Sequence, residues 1–165
     1  MNDDCRDCRK PVPAEHTKWM SVAFEEAVQA YEEGEIPIGA AIVYRPEGEA
    51  AGRLIARAHN RVEALSDPTA HAEMLAITMA TDTLGGKYLS DCILYVTIEP
   101  CTMCAGAMRW AQVKTVVFGA GEPKVGYRVL CPNALHPRCI VIGGVMEDEC
   151  KQLMQNFFKS KRLAK

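Results

Sequence analysis

The chain has 165 residues and a mass of 18.2 kDa, the length of one domain that buries roughly two thirds of its unfolded surface in a single core. With 48% hydrophobic and 24% charged residues and a mean hydropathy of -0.08, it sits near the average of soluble globular proteins, which excludes a disordered or fibrous chain. A formal net charge of -2 excludes a binder that is basic all over, so any contact with a polyanion has to be a local patch.

Residues 1–14 read as a charged leader with no apolar h-region, and residues 15–165 as a single domain. No stretch reaches the eighteen or so uninterrupted apolar residues of a membrane span, so the expected location is the cytoplasm, with no membrane partner. Eight cysteines in a reducing compartment point to metal or redox chemistry rather than to disulfide staples. Cys5 and Cys8 form a Cys-x-x-Cys in the leader without a partner pair, which reads as coincidence rather than a second metal knuckle.

Glu15 to Gly34 reads as a helix. Met20, Phe24, Ala27 and Tyr31 recur at three- and four-residue steps, and Gly34 supplies the C-terminal stop. Ile36–Tyr44 and Leu54–Ala58 read as two strands joined around Pro46, Glu47 and Gly48. Asp67, Pro68 and Thr69 make a turn before a helix over Ala70–Thr83, and Cys92–Ile98 is almost continuously apolar, as a strand covered on both faces is. A small-residue helix follows over Cys101–Ala111. Then come a strand at Thr115–Gly119, a loop punctuated by Gly and Pro, a short strand near Cys139–Ile142 and a final helix from Met146 to about Lys161. Strand and helix alternating through the second half implies crossover connections and parallel pairing, hence an α/β fold, a three-layer α/β/α sandwich around a mixed sheet of about five strands.

Metal-binding residue types fall where two of these helices begin. The first group is His71-Ala72-Glu73 and the second is Pro100-Cys101-Thr102-Met103-Cys104. Cys101 and Cys104, three apart, share one helix face, and the free N–H groups of a first helical turn favour thiolates. His71 with two thiolates gives three protein ligands, the count of a catalytic zinc that keeps its fourth position for water. Glu73, in the same helical turn as His71, is a poor fourth ligand and a suitable proton carrier for hydrolytic deamination.

His-Ala-Glu followed by Pro-Cys-x-x-Cys resembles the signature of the zinc-dependent cytidine deaminase superfamily. The stretches GEIPIG (Gly34–Gly39), DPTAHAE (Asp67–Glu73) and LYVTIEPCTMCAGAM (Leu94–Met108) resemble bacterial tRNA-specific adenosine deaminases. The resemblance implies a cytidine deaminase-like fold, one zinc per chain on His71, Cys101 and Cys104, and Glu73 as the catalytic proton shuttle. It further implies substrate contacts from Asn60, Ala72, Glu99, Pro100, Glu122 and His136, a homodimer, and as substrate the wobble adenosine of a tRNA. Three departures point instead to a small-molecule deaminase of guanine, cytosine or a nucleoside. The stretch Gly119–Cys139 is shorter than its counterpart in the tRNA enzymes. His136-Pro137-Arg138 stands where the tRNA enzymes more often carry Asn-His-Arg, and Trp110 resembles the small-base deaminases.

Other readings stand beside these. Cys-x-x-Cys after a strand is also the thioredoxin arrangement, a structural zinc could recruit Cys92, and a zinc-stabilised nucleic-acid binding module would need no catalysis. Asn60 suits the edge of a base through its amide, and is also a common residue at strand ends. The last helix pairs an apolar stripe (Cys150, Leu153, Met154, Phe157, Phe158) with a basic end carrying Lys159, Lys161, Arg162 and Lys165, which suits both the helix dipole and a phosphate contact.

Overall fold

The apolar residues of the strands alternate between two layers, and the helices divide accordingly. The computed structural model describes residues 12–164. Its elements, in chain order, are α1 (Ala14–Glu32), β1 (Gly39–Tyr44), β2 (Arg53–His59), α2 (Val62–Leu65), α3 (Ala72–Leu84), β3 (Cys92–Ile98), α4 (Thr102–Trp110), β4 (Thr115–Ala120), α5 (Tyr127–Leu130), β5 (Ile140–Ile142) and α6 (Glu147–Leu163). The strands form one sheet in the order β2-β1-β3-β4-β5. β1 runs antiparallel to both of its neighbours, whereas β3, β4 and β5 are parallel. α3 therefore connects β2 to β3 by a crossover that skips the strand between them.

Period-two alternation along the strands explains the layering. Ala40 and Ile42, Leu94 and Val96, and Val116 and Phe118 pack with Ala72, Ala76 and Ala80 of α3 and with Ala105 and Met108 of α4. The intervening residues Ala41, Val43, Ile93, Tyr95 and Val117 pack against Met20 and Ala23 of α1. Cys150 of α6 joins Ile98 and Ala120 beside them. All seven residues of β3 are buried, as its unbroken apolar run predicts. Tyr95 hydroxyl meets His16 Nδ1 at 2.9 Å under α1, so this fully buried phenol has a partner.

The expected mixed α/β/α sandwich is the fold observed, with differences at element ends. Gly34, at φ +80°, ends α1 two residues past its last helical position, in the left-handed conformation that glycine adopts at little cost. β1 begins at Gly39 rather than Ile36, because Pro37 has no N–H for the ladder and Ile38 N–H donates locally to Ile36 carbonyl at 2.8 Å. The single-turn helix α5 lies in the stretch read as loop, and α2 lies between the second strand and the turn at Asp67–Thr69, where the sequence reading places no element. Up to residue 11 the expected leader, with its Cys5/Cys8 pair, lies outside the described residues. Among the described residues no helix is long and apolar enough to cross a membrane.

Candidate active site

Two helix N-termini converge at the C-terminal end of β3. His71 is the residue before α3 and Cys101 the residue before α4, both with extended backbone, while Glu73 and Cys104 lie within the first turns. Neither helix is capped by its own N-cap side chain. Asn60, directly after β2, supplies the cap for α3: its Oδ1 accepts the N–H of Ala72 at 2.8 Å. The end of β2 is itself fastened to α1, because the ring nitrogens of His59 bond Glu26 Oε2 at 2.7 Å and Glu33 Oε2 at 3.1 Å. Asn60 and His59 thus tie the start of α3, and with it His71 and Glu73, to α1.

His71 Nδ1 lies 3.6 Å from Cys101 Sγ and 3.5 Å from Cys104 Sγ. All three potential ligand atoms fall within 4.8 Å of one another. A tetrahedral zinc, with bonds of about 2.0–2.1 Å to nitrogen and about 2.3 Å to sulfur, requires nitrogen–sulfur separations of about 3.5 Å. The donor set and its spacing therefore fit zinc. The Cys101 thiol is pushed down to about 4, first by a hydrogen bond from Cys104 and then by His71, so the sulfur partner rather than the helix end leads in stabilising the thiolate. Cys104 moves up, because it holds the proton of that pair and is buried beside Glu73.

Glu73 is 3% exposed, and burial raises its carboxyl to about 7. Its Oε2 has no hydrogen-bond partner. A buried acceptor in a native fold is normally satisfied by protein or by ordered water, so this oxygen marks a place where a polar species belongs.

The other expected contacts are distributed unevenly. Ala72 is buried, and its N–H is engaged by Asn60. Pro100 accepts the Tyr127 N–H at 2.9 Å. Glu99 is buried and fastens the loop after β4: Oε2 accepts the Glu122 N–H at 3.0 Å and Arg128 Nη2 at 2.9 Å, and Oε1 accepts the Arg128 N–H at 3.1 Å. Gly126 is required there, since a Cβ would come within 2.5 Å of the backbone carbonyl oxygen of Glu122 and 2.6 Å of Glu99 Oε1. Glu122 turns Oε1 onto the Lys124 N–H at 2.8 Å. His136 is not brought to the trio. It lines a cavity with Ser90, Gln112 and Lys114, residues that precede β3 and β4, whereas the trio follows β3. Trp110 stands on the outer face of α4, 83% exposed, so it walls no pocket within one protomer.

The geometry adds Glu35, which the sequence does not mark, and brings the last helix to Asn60. Glu35 is buried and accepts the N–H groups of Glu63 (3.2 Å) and Ala64 (2.8 Å), holding the start of α2. Ile36, Asn60, Phe157 and Lys161 share the wall of a cavity of about 290 Å³, which brings α6 to the neighbourhood of Asn60. Phe157 and Lys161 sit four apart on α6 with the ammonium 5.2 Å from the ring centroid, a spacing visible in the sequence.

Residues 13–120 match the family model of the cytidine and deoxycytidylate deaminase zinc-binding region. A curated relative from Agrobacterium fabrum, a tRNA-specific adenosine deaminase, is 41% identical over 155 residues, which cover 91% of this chain and 98% of that one. The chain belongs to the tRNA-specific adenosine deaminases of this family. Among solved structures the deaminase resembles one from work on A-to-I editing by tRNA:A34 deaminases at the wobble position of transfer RNA. The TM-score is 0.74 at 40% identity, over 83% of this chain and 99% of that one. The guanine deaminase of Bacillus subtilis is 42% identical with a TM-score of 0.57, over 64% of each chain.

Proposed function

We propose that the protein is a zinc-dependent hydrolytic deaminase that converts adenosine to inosine at the tRNA wobble position, as a cytoplasmic homodimer with one zinc per chain on His71, Cys101 and Cys104. The observation that carries this reading is the buried, partnerless Oε2 of Glu73 beside a His–Cys–Cys trio spaced for a tetrahedral ion. Zinc, when bound, lowers the pKa of water from about 15.7 toward about 7.

Glu73 does the proton work. Burial raises the Glu73 carboxyl above its ordinary value, the direction that suits a group which must both accept and release a proton. It takes the first proton of the attacking water at Oε2 and passes it to the ring nitrogen of the base, then takes the second proton from the hydroxyl now on C6 and gives it to the departing amine. The C6–O bond forms, the C6–N bond breaks, and ammonia leaves. Asn60 has its oxygen committed to Ala72, which leaves the amide N–H groups to bond the base edge. The target base leaves its stack to reach the site, at a cost of a few kcal/mol met by contacts elsewhere in the RNA.

The names of the relatives support tRNA as substrate. The likeness to a guanine deaminase keeps free guanine as the competing substrate. Support for the dimer comes from α4, where Met103, Ala107 and Trp110 follow at four and three residues along one uncovered face. The test is ammonia release from tRNA, guanine, cytosine, adenosine and cytidine, each incubated separately with the purified protein. A signal from tRNA alone, with inosine at the wobble position, is expected; a signal from a free base with tRNA unchanged overturns the reading.

A further inference from the structure

The motif His136-Pro137-Arg138 takes no part in the chemistry at the trio, yet the fold builds it firmly. Cys139 N–H donates to His136 carbonyl at 2.9 Å and Arg138 N–H donates to His136 Nδ1 at 3.1 Å, closing a tight turn. With Nδ1 as acceptor, Nε2 is the donor of the ring. Arg109 anchors the preceding segment, its Nη1 bonding the carbonyls of Asn133 (3.1 Å) and Leu135 (3.2 Å).

This turn walls a cavity of about 440 Å³ together with Ser90, Gln112 and Lys114. Gln112 sits at φ +55°, the left-handed position past α4 that glycine fills at lower cost, and it carries an amide into the cavity wall. No carboxylate lines the cavity. Among the described residues none lies within ion-pair distance of Lys114 or Arg138. An ammonium, a guanidinium, a ring N–H, an amide and a hydroxyl around one concavity match a phosphate, with the guanidinium able to bond two of its oxygens. In a chain of net charge -2, this is the kind of local patch that contact with a polyanion demands.

Its place decides which phosphate. Ser90 precedes β3, Gln112 and Lys114 precede β4, and Cys101 follows β3. Because β3 and β4 are parallel, cavity and trio lie at opposite ends of the sheet. The seven residues of β3 separate them by about 20 Å at roughly 3.3 Å per residue. The nucleotide being deaminated does not span that distance. We infer that the cavity formed by Lys114, His136 and Arg138 binds a backbone phosphate of the RNA substrate remote from the target base, as a second docking point. The inference rests on the reading of tRNA as substrate.

The test is a Lys114→Gln/Arg138→Gln double variant. Both side chains are exposed, and an unchanged melting temperature verifies the fold. Binding of labelled, wobble-adenosine tRNA to the full chain is followed by fluorescence anisotropy across a salt series, with kcat and KM for inosine formation on the same tRNA. The expected result is an affinity lower by about 10-fold, with a salt slope smaller by about 1.5, from two charges at about 0.7–0.9 each. KM rises while kcat is unchanged, and Lys114→Arg keeps wild-type binding. Unaltered affinity and slope in the double variant overturn the inference. Inorganic phosphate titrated into the wild type separates the sources: phosphate binding lost in the double variant while tRNA binding persists assigns the cavity to a free phosphate compound, against the inference. Wild type that binds tRNA through the cavity but forms no inosine contradicts the deaminase reading and leaves the phosphate site standing.

Discussion

Glu73 and Asn60 carry separable duties, and each is testable at the level of one side chain. Replacing Glu73 by Gln removes the proton carrier but none of the proposed ligands; turnover falls by at least ~10²-fold while metal analysis still finds zinc. Zinc lost together with activity would show that Glu73 is a ligand. Asn60 both caps α3 through Oδ1 and offers an amide to the base. Asn60→Ala lowers stability by about 1 kcal/mol and weakens substrate binding, whereas Asn60→Asp keeps the cap and raises KM alone; denaturant unfolding and steady-state kinetics separate the two. His71, Glu73, Cys101 and Cys104 were legible because their chemistry depends on spacing along two helix starts. His136 was not, because the grip of Arg109 on the carbonyls of Asn133 and Leu135 is a contact between distant segments that no local pattern encodes.

Among the elements, the loop between β4 and α5 depends on one buried carboxylate. Burial pushes Glu99 up, but Arg128 and the N–H groups of residues 122 and 128 outweigh it, so its pKa lies below the usual 4.5. A depressed folded-state value means that the contribution is complete above about pH 4.5 and drains away as pH falls through the folded pKa. Glu99→Gln leaves buried donors unmatched and costs about 1–3 kcal/mol at neutral pH. The gap between variant and wild type closes in acid, as urea midpoints measured from pH 7 down to pH 3 will show; a gap independent of pH contradicts the ion-pair account. The long elements were readable from their apolar periods, and the parallel pairing of the second half from crossover geometry; the strand order was not, because no local pattern says which strand lies beside which. α2 and α5, at four residues each, are single turns with no period to detect, and they owe their place to tertiary bonds such as those from Glu35 to residues 63 and 64.

At the scale of the whole molecule, the sandwich places two helix ends at one edge of a sheet and leaves the outer face of α4 uncovered. Trp110→Glu puts a charge on the most exposed large hydrophobic residue of that face; sedimentation should show monomers where the wild type gives dimers, and a wild type that sediments as a monomer refutes the dimer. As proposed, the metal centre has three protein donors and one position left for chemistry. X-ray absorption at the zinc edge of the purified protein reads the coordination shell directly. The expected spectrum shows one zinc per chain with two sulfurs at about 2.3 Å, one imidazole nitrogen and one light oxygen donor at about 2.0–2.2 Å. A shell with a third sulfur or a second imidazole would contradict it.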